Sequence, residues 1–207
     1  MPKNITVQEF CKGVTEYVRS HYRKSQLEHL AAHPEERLTA SCIVFSRLQR
    51  QVWMIGDCQC LIGDHYFDNA KPCEKGIAEK RAEIAHRLLD EGQATVESLR
   101  TEDVARQAVI PRLIETMKEQ NQSYAVIDGF QIPMGKIKVE TLDFSPWTIV
   151  FASDGYPFLK PTLAASEEAL QQQLQQDPLN INSFKATKAF MTGNNSFDDR
   201  SYIRFKV

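Results

Sequence analysis

The sequence predicts an α+β domain. Three observations point there: amphipathic helical patterns at both ends of the first half, several short apolar runs of strand length, and no regular strand–helix alternation of the kind that builds a parallel sheet. On this reading helices cover the outer faces of sheets.

The elements follow in chain order. Val7, Phe10, Val14, Tyr17, Val18, Leu27 and Leu30 recur every three to four residues. That spacing predicts one long helix from Thr6 to about Ala32, with Thr6 as N-cap and Glu9 three positions on. Pro34 ends it. Leu38 to Leu48, rich in Thr, Ile, Val and Phe, reads as a strand, and Gln51 to Asp57 as its hairpin partner across Arg47, Gln49 and Arg50. Cys58 to Ile62 extends the sheet. Lys75 to Leu89 reads as a surface helix stopped by Gly92, and Thr101 to Lys118 as a second with Pro111 as a kink. Tyr124 to Ile127 and Lys136 to Leu142 read as short strands around an Asp128-Gly129 turn. Trp147 to Ala152 is a buried strand, Ser166 to Gln176 a solvated helix ended by Pro178, and Ser201 to Val207 an alternating last strand.

A chain of 207 residues with no linker or repeat is read as one domain, 1–207, with a helical insertion at about 75–118. Its 42% hydrophobic content and only nine glycines and nine prolines exclude a disordered or fibrous chain. Twenty-five basic against 27 acidic residues leave a charge of -2, which argues against nucleic acid or an anionic membrane as partner. No apolar run has membrane-spanning length, and Met1-Pro2-Lys3-Asn4 opens no signal peptide, so a cytoplasmic protein is expected. The cysteines are odd in number and irregularly spaced. Cys58-x-Cys60 lacks a second pair, so all five read as thiols rather than zinc ligands. His29 and His33 stand at i and i+4, but Pro34 places them at a fraying helix end.

Three acidic sites sit at boundaries of predicted buried strands: Asp57, Asp154 and Asp198-Asp199. Aspartate is common in turns, where it bonds nearby amides, and for one site alone that reading is the better one. As a set, strand-end aspartates converging on one rim supply the rigid oxygen ligands that hard divalent cations need.

Four segments, in order, resemble the PPM (PP2C-type) metal-dependent protein serine/threonine phosphatases. Arg37-Leu38-Thr39-Ala40-Ser41-Cys42-Ile43-Val44 is similar to the family's Gly-Thr-Thr-Ala strand. Val52-Trp53-Met54-Ile55-Gly56-Asp57-Cys58-Gln59 resembles Val-Gly-Asp-Ser-Arg, with Cys-Gln replacing Ser-Arg. Ile149-Val150-Phe151-Ala152-Ser153-Asp154-Gly155 resembles Leu-Ala-Ser-Asp-Gly, the most specific piece. Ser196-Phe197-Asp198-Asp199-Arg200-Ser201-Tyr202-Ile203 resembles the Asp-Asp-x-Thr or Asp-Asn-x-Thr lead into the last strand.

The resemblance implies a four-layer αββα sandwich of two antiparallel sheets flanked by helices. It implies Asp154 and Asp198 as ligands of Mg²⁺ or Mn²⁺, two or three ions in the complete family site. Asp57 would sit near an additional metal, with Gly56 and Asp199 in support and Gly155 keeping the rim open. Hydrolysis of a phosphoprotein or a small phosphomonoester would follow. The family's two opening strands, with an acidic residue and a metal-bridging Asp-Gly, precede the first helix and have no counterpart here, nor does its phosphate-binding arginine. Asp128-Gly129 falls too late in the chain to be that motif. The chain therefore reads as N-terminally truncated: a fragment, a misassigned start or a pseudoenzyme.

Four expectations follow: weak metal binding, self-association or an open channel at the exposed sheet edge, Asp154 and Asp198 on one rim, and the opening helix paired with the one ending near Gln176. Two other readings stand beside the phosphatase: an inactive binding or regulatory protein of the same fold, and a proteasome-like hydrolase. The last needs a nucleophile at a processed N-terminus, and Met1-Pro2 offers none.

Overall fold

The computed structural model describes residues 4–207, so the Met1-Pro2 reading lies outside the described residues. Two antiparallel sheets form an α+β sandwich. The strands are β1 (Cys42–Ser46), β2 (Gln51–Ile55), β3 (Gln59–Ile62), β4 (His65–Asp68), β5 (Lys138–Thr141), β6 (Thr148–Ala152) and β7 (Tyr202–Lys206). Sheet one runs β1-β2-β5 and sheet two β4-β3-β6-β7. The helices are α1 (Val7–Arg19), α2 (Leu27–Ala32), α3 (Glu74–Asp90), α4 (Val96–Thr101), α5 (Val104–Met117) and α6 (Leu163–Gln176).

Period-two alternation divides the strands between layers. Val52 and Met54 of β2 point between the sheets, onto Cys60 and Ile62 of β3 and Ile149 and Phe151 of β6. Trp53 and Ile55 point the other way, onto Val7, Phe10 and Cys11 of α1. Leu61, Val150 and Ala152 form the outer face of sheet two, under Tyr156 and Leu159. β2 and β6 are thus covered on both faces, which is why each reads as an unbroken apolar run.

α1 begins with the expected capping box: Thr6 Oγ accepts from the Glu9 N–H at 3.2 Å, and Glu9 accepts from the Thr6 N–H at 2.7 Å. The single opening helix expected from Thr6 to Ala32 is instead two. The apolar stripe lapses between Arg19 and Gln26, and there the Tyr22 hydroxyl turns inward, donating to the Asp128 carbonyl at 3.0 Å and accepting the Leu38 N–H at 2.9 Å.

Residues 124–127 form no strand, only bridges from Ile127 to Ala40 and from Tyr124 to Gln120. Asp128 is accordingly no hairpin turn. It is fully buried and receives Arg37 at 2.9 Å, the Asn121 amide at 2.8 Å and the Phe130 N–H at 2.8 Å. The Arg37 guanidinium also lies 3.7 Å from the Phe130 ring centre, so this segment is a structural clasp between α2 and sheet one.

The region 75–118 is helical as expected, though in three pieces. α5 continues through Pro111. Fully buried Arg81 of α3 reaches Asp103, the N-cap of α5, at 2.7 and 3.1 Å and donates to the carbonyls of Leu179 and Ala186. One buried cation therefore ties the helices to the loop before β7, and its surroundings satisfy its charge.

α6 is not the partner of α1. No α6 residue enters the α1 cluster, and Glu167 instead binds Arg200 through two 2.8 Å bonds and Tyr156 at 2.7 Å, at the end of sheet two. Coming after β6, α6 returns over the outer side of its own sheet. Among the described residues no helix is long and apolar enough to cross a membrane.

The layer between the sheets should dominate stability. Met54→Ala, at a site with no exposure, is expected to cost about 2–5 kcal/mol in urea unfolding. Phe144→Ser, at a residue 93% exposed, should stay within about 0.5 kcal/mol. Equal effects would contradict this layer assignment.

Candidate functional site

Strand register brings the predicted aspartates together. Gln59 of β3 and Tyr202 of β7 both pair with Ala152 of β6, on its two sides. In antiparallel strands the residues before Gln59 and Tyr202 lie at the same end as those after Ala152. Asp57, Asp154 and Asp198 therefore reach one rim, and all three line one cavity of about 590 Å³ with Glu74, Lys71 and Lys188.

Two glycines allow the close approaches there. Gly56, at φ +83°, turns the chain from sheet one towards sheet two, and a Cβ would fall 2.7 Å from Ser41 Cβ. Gly155 was expected to keep the rim open, and the structure corrects this. It is buried, and a Cβ would collide with the Asp199 carbonyl and approach Arg200 Cβ at 2.9 Å. Its role is to let the 198–200 segment lie against the end of β6. The Ser201 N–H then donates to Ser153 Oγ at 2.9 Å, and Asp199 contributes its N–H to Asp198 at 2.9 Å.

The three carboxylates are not equivalent. Asp57 accepts from Lys71 at 2.5 Å and from the Ser41 hydroxyl. Burial works to raise its pKa, but the Lys71 charge and these hydrogen bonds win, and it lies below the ordinary aspartate value. Asp198 accepts from Lys188 at 2.5 Å. Lys71 also faces Glu74 at 3.6 Å; burial opposes its charge, yet Asp57 and Glu74 together raise its pKa. Asp154 has no hydrogen-bond or ion-pair partner among the described residues. Its side chain is exposed at the mouth of the cavity, yet partial loss of surrounding water, then the charges of Asp57, Asp198 and Glu74, push its pKa up to about 6.

Among the described residues, no set of three or more histidine, cysteine, aspartate or glutamate side chains is arranged to hold one metal ion. The donors still suit a hard divalent cation, being carboxylate oxygens around an uncompensated charge. Such an ion has to compete with two ammonium groups for Asp57 and Asp198. Cys58, next to Asp57, offers no nucleophile here: burial pushes its thiol up to about 12, with the Asp57 charge adding to it.

Lys71, Glu74 and Lys188 were not anticipated. Lys71 and Glu74, three apart on either side of Pro72-Cys73, carry a weak local signal, whereas Lys188 lies in a loop with none. Comparison with protein families, curated proteins and solved structures gives no match for the chain.

Asp154 should cost stability where it is ionised. Its folded pKa is raised above the unfolded value of about 3.9, so the folded state binds the extra proton and stability falls as pH rises from about 4 through about 6. In metal-free buffer, Asp154→Asn is expected to raise the melting temperature at pH 7 and to lose that advantage below about pH 4. A variant equally or less stable at pH 7 would contradict the crowding of charge around Asp154.

Proposed function

We propose that this domain is a phosphomonoester hydrolase of the PPM (PP2C) type, dependent on Mg²⁺ or Mn²⁺ and weakly active as this chain. The observation that carries the reading is Asp154, an unpartnered carboxylate facing Asp57, Asp198 and Glu74 in one cavity. Asp154 alone of the three aspartates has no ion-pair partner among the described residues, and the segments around these aspartates are those that resemble the family. Asp154 and Asp198 would hold metal, with Asp57 near an additional ion.

When bound, a divalent cation lowers the pKa of a coordinated water and neutralises phosphoryl charge. The chain's own residues do the rest. Lys75 and Lys185, exposed at the same cavity, are placed to meet phosphoryl oxygens of a phosphoprotein or small phosphomonoester. Ser41 and Lys71 fix the orientation of Asp57. Gly155 and Ser153 fix the position of the Asp198 segment. No covalent nucleophile is required.

The second reading, an inactive binding or regulatory domain, is favoured by one specific fact: Lys71 and Lys188 already neutralise two of the three aspartates. A lysine in direct contact with a ligand carboxylate weakens metal binding by charge competition.

Removing one lysine separates the readings. Calorimetric titration with Mn²⁺ should give weak binding to the unaltered chain, at least about tenfold tighter binding to Lys71→Ala, equivalent to ~1.4 kcal/mol, and p-nitrophenyl phosphate turnover that rises with it. No binding and no turnover in either protein would leave the inactive reading. Tight binding and robust turnover in the unaltered chain would refute the inhibitory role of Lys71.

A further inference from the structure

Both sheets end on the same side of the sandwich, at β1 and β7. The Phe45 and Phe205 rings, with centroids 5.8 Å apart, close the layers at one end of these strands. Towards the other end the layers part into a groove of about 410 Å³, with Cys42, Ile43, Phe151 and Ile203 in its walls and Asp57 and Asp154 at the end that meets the rim. Phe205 and Val207 pack between the sheets, so Ile203 points to the same side, yet it is 56% exposed. Tyr202 packs on the opposite, outer face, which sets Arg204 and Lys206 there too, both exposed.

The backbone of β7 is equally lopsided. Val207 and Trp147 exchange both hydrogen bonds, at 3.0 and 3.1 Å, so by antiparallel alternation Phe205 and Ile203 also bond to β6. The N–H and C=O groups of Tyr202, Arg204 and Lys206 are left along an edge with no strand beside it among the described residues.

We infer that the β7 edge is a docking site for an extended segment of a partner protein that alternates apolar and acidic residues. Its backbone pairs with Tyr202, Arg204 and Lys206, its apolar side chains enter the groove beside Ile203, and its carboxylates meet Arg204 and Lys206 on the outer face. Charge selects this occupant over a second copy. Two β7 strands paired antiparallel about Arg204 set like charges opposite one another, β1 carries no carboxylate, and the other two edge strands, β4 and β5, carry one each, Asp68 and Glu140, where the two cations of β7 call for two. Pairing of β7 with a second β7 is therefore the poorer use of this edge.

The test is fluorescence anisotropy of a labelled synthetic peptide of about seven residues alternating glutamate and valine, with the full chain. Binding is expected, weakening as salt rises. It should drop at least about tenfold in the Arg204→Glu/Lys206→Glu double variant, whose altered side chains are exposed and leave the core intact. A lysine–valine peptide should bind only that variant. Hydrogen exchange at the Arg204 and Lys206 amides should be fast in the free chain and slow with the glutamate peptide. Equal binding of both peptides, or binding of neither, overturns the proposal. So does concentration-dependent amide protection without peptide, which would give the edge to a second copy.

Discussion

The β3-β6-β7 ladder is the constraint on which the site depends. It places Gln59 and Tyr202 on the two sides of Ala152 and so sends the chain segments bearing Asp57, Asp154 and Asp198 off the same end of sheet two. A slip of one residue in either pairing would turn the inner apolar set of that strand outward, so burial of Cys60, Ile62, Ile149 and Phe151 guards the position of the aspartates as well as the core. Packing between the sheets and geometry at the rim are one specification.

That rim is then electrostatically uneven. Lys71 satisfies Asp57 and Lys188 satisfies Asp198, each at 2.5 Å, while Asp154 takes the field of its acidic neighbours without a partner. Under the proposed function, a cation entering the cavity would relieve that repulsion. The lysines limit how much is relieved, and this balance separates an active reading of the cavity from a silent one.

Much of this was legible in the sequence, for a physical reason. Strands covered on both faces leave unbroken apolar runs, as at Val52–Ile55 and Ile149–Ala152, and the aspartates after them mark strand ends directly. What escaped depends on contacts remote in sequence. The break after Arg19 is set by Tyr22 reaching Asp128, 106 residues away, and burial of Asp128 by Arg37, 91 residues away. β4, His65–Asp68, is largely exposed at a sheet edge and carries little apolar signal. Lys188 is distinguished from other lysines only by what the fold sets beside it. The proposal of a PPM-type phosphatase starts from four short segments, which locate the carboxylates but say nothing of the ammonium groups that hold two of them.

The central claim, that Asp154 stands uncompensated among Asp57, Asp198 and Glu74, is most directly tested by ¹³C NMR titration of the Asp154 carboxyl carbon in metal-free buffer. The account predicts a midpoint near about 6, moving higher still in Lys71→Ala, where one attractive charge is gone. A midpoint at the ordinary aspartate value of about 3.9, indifferent to Lys71, would mean that the aspartates share a rim without sharing a field.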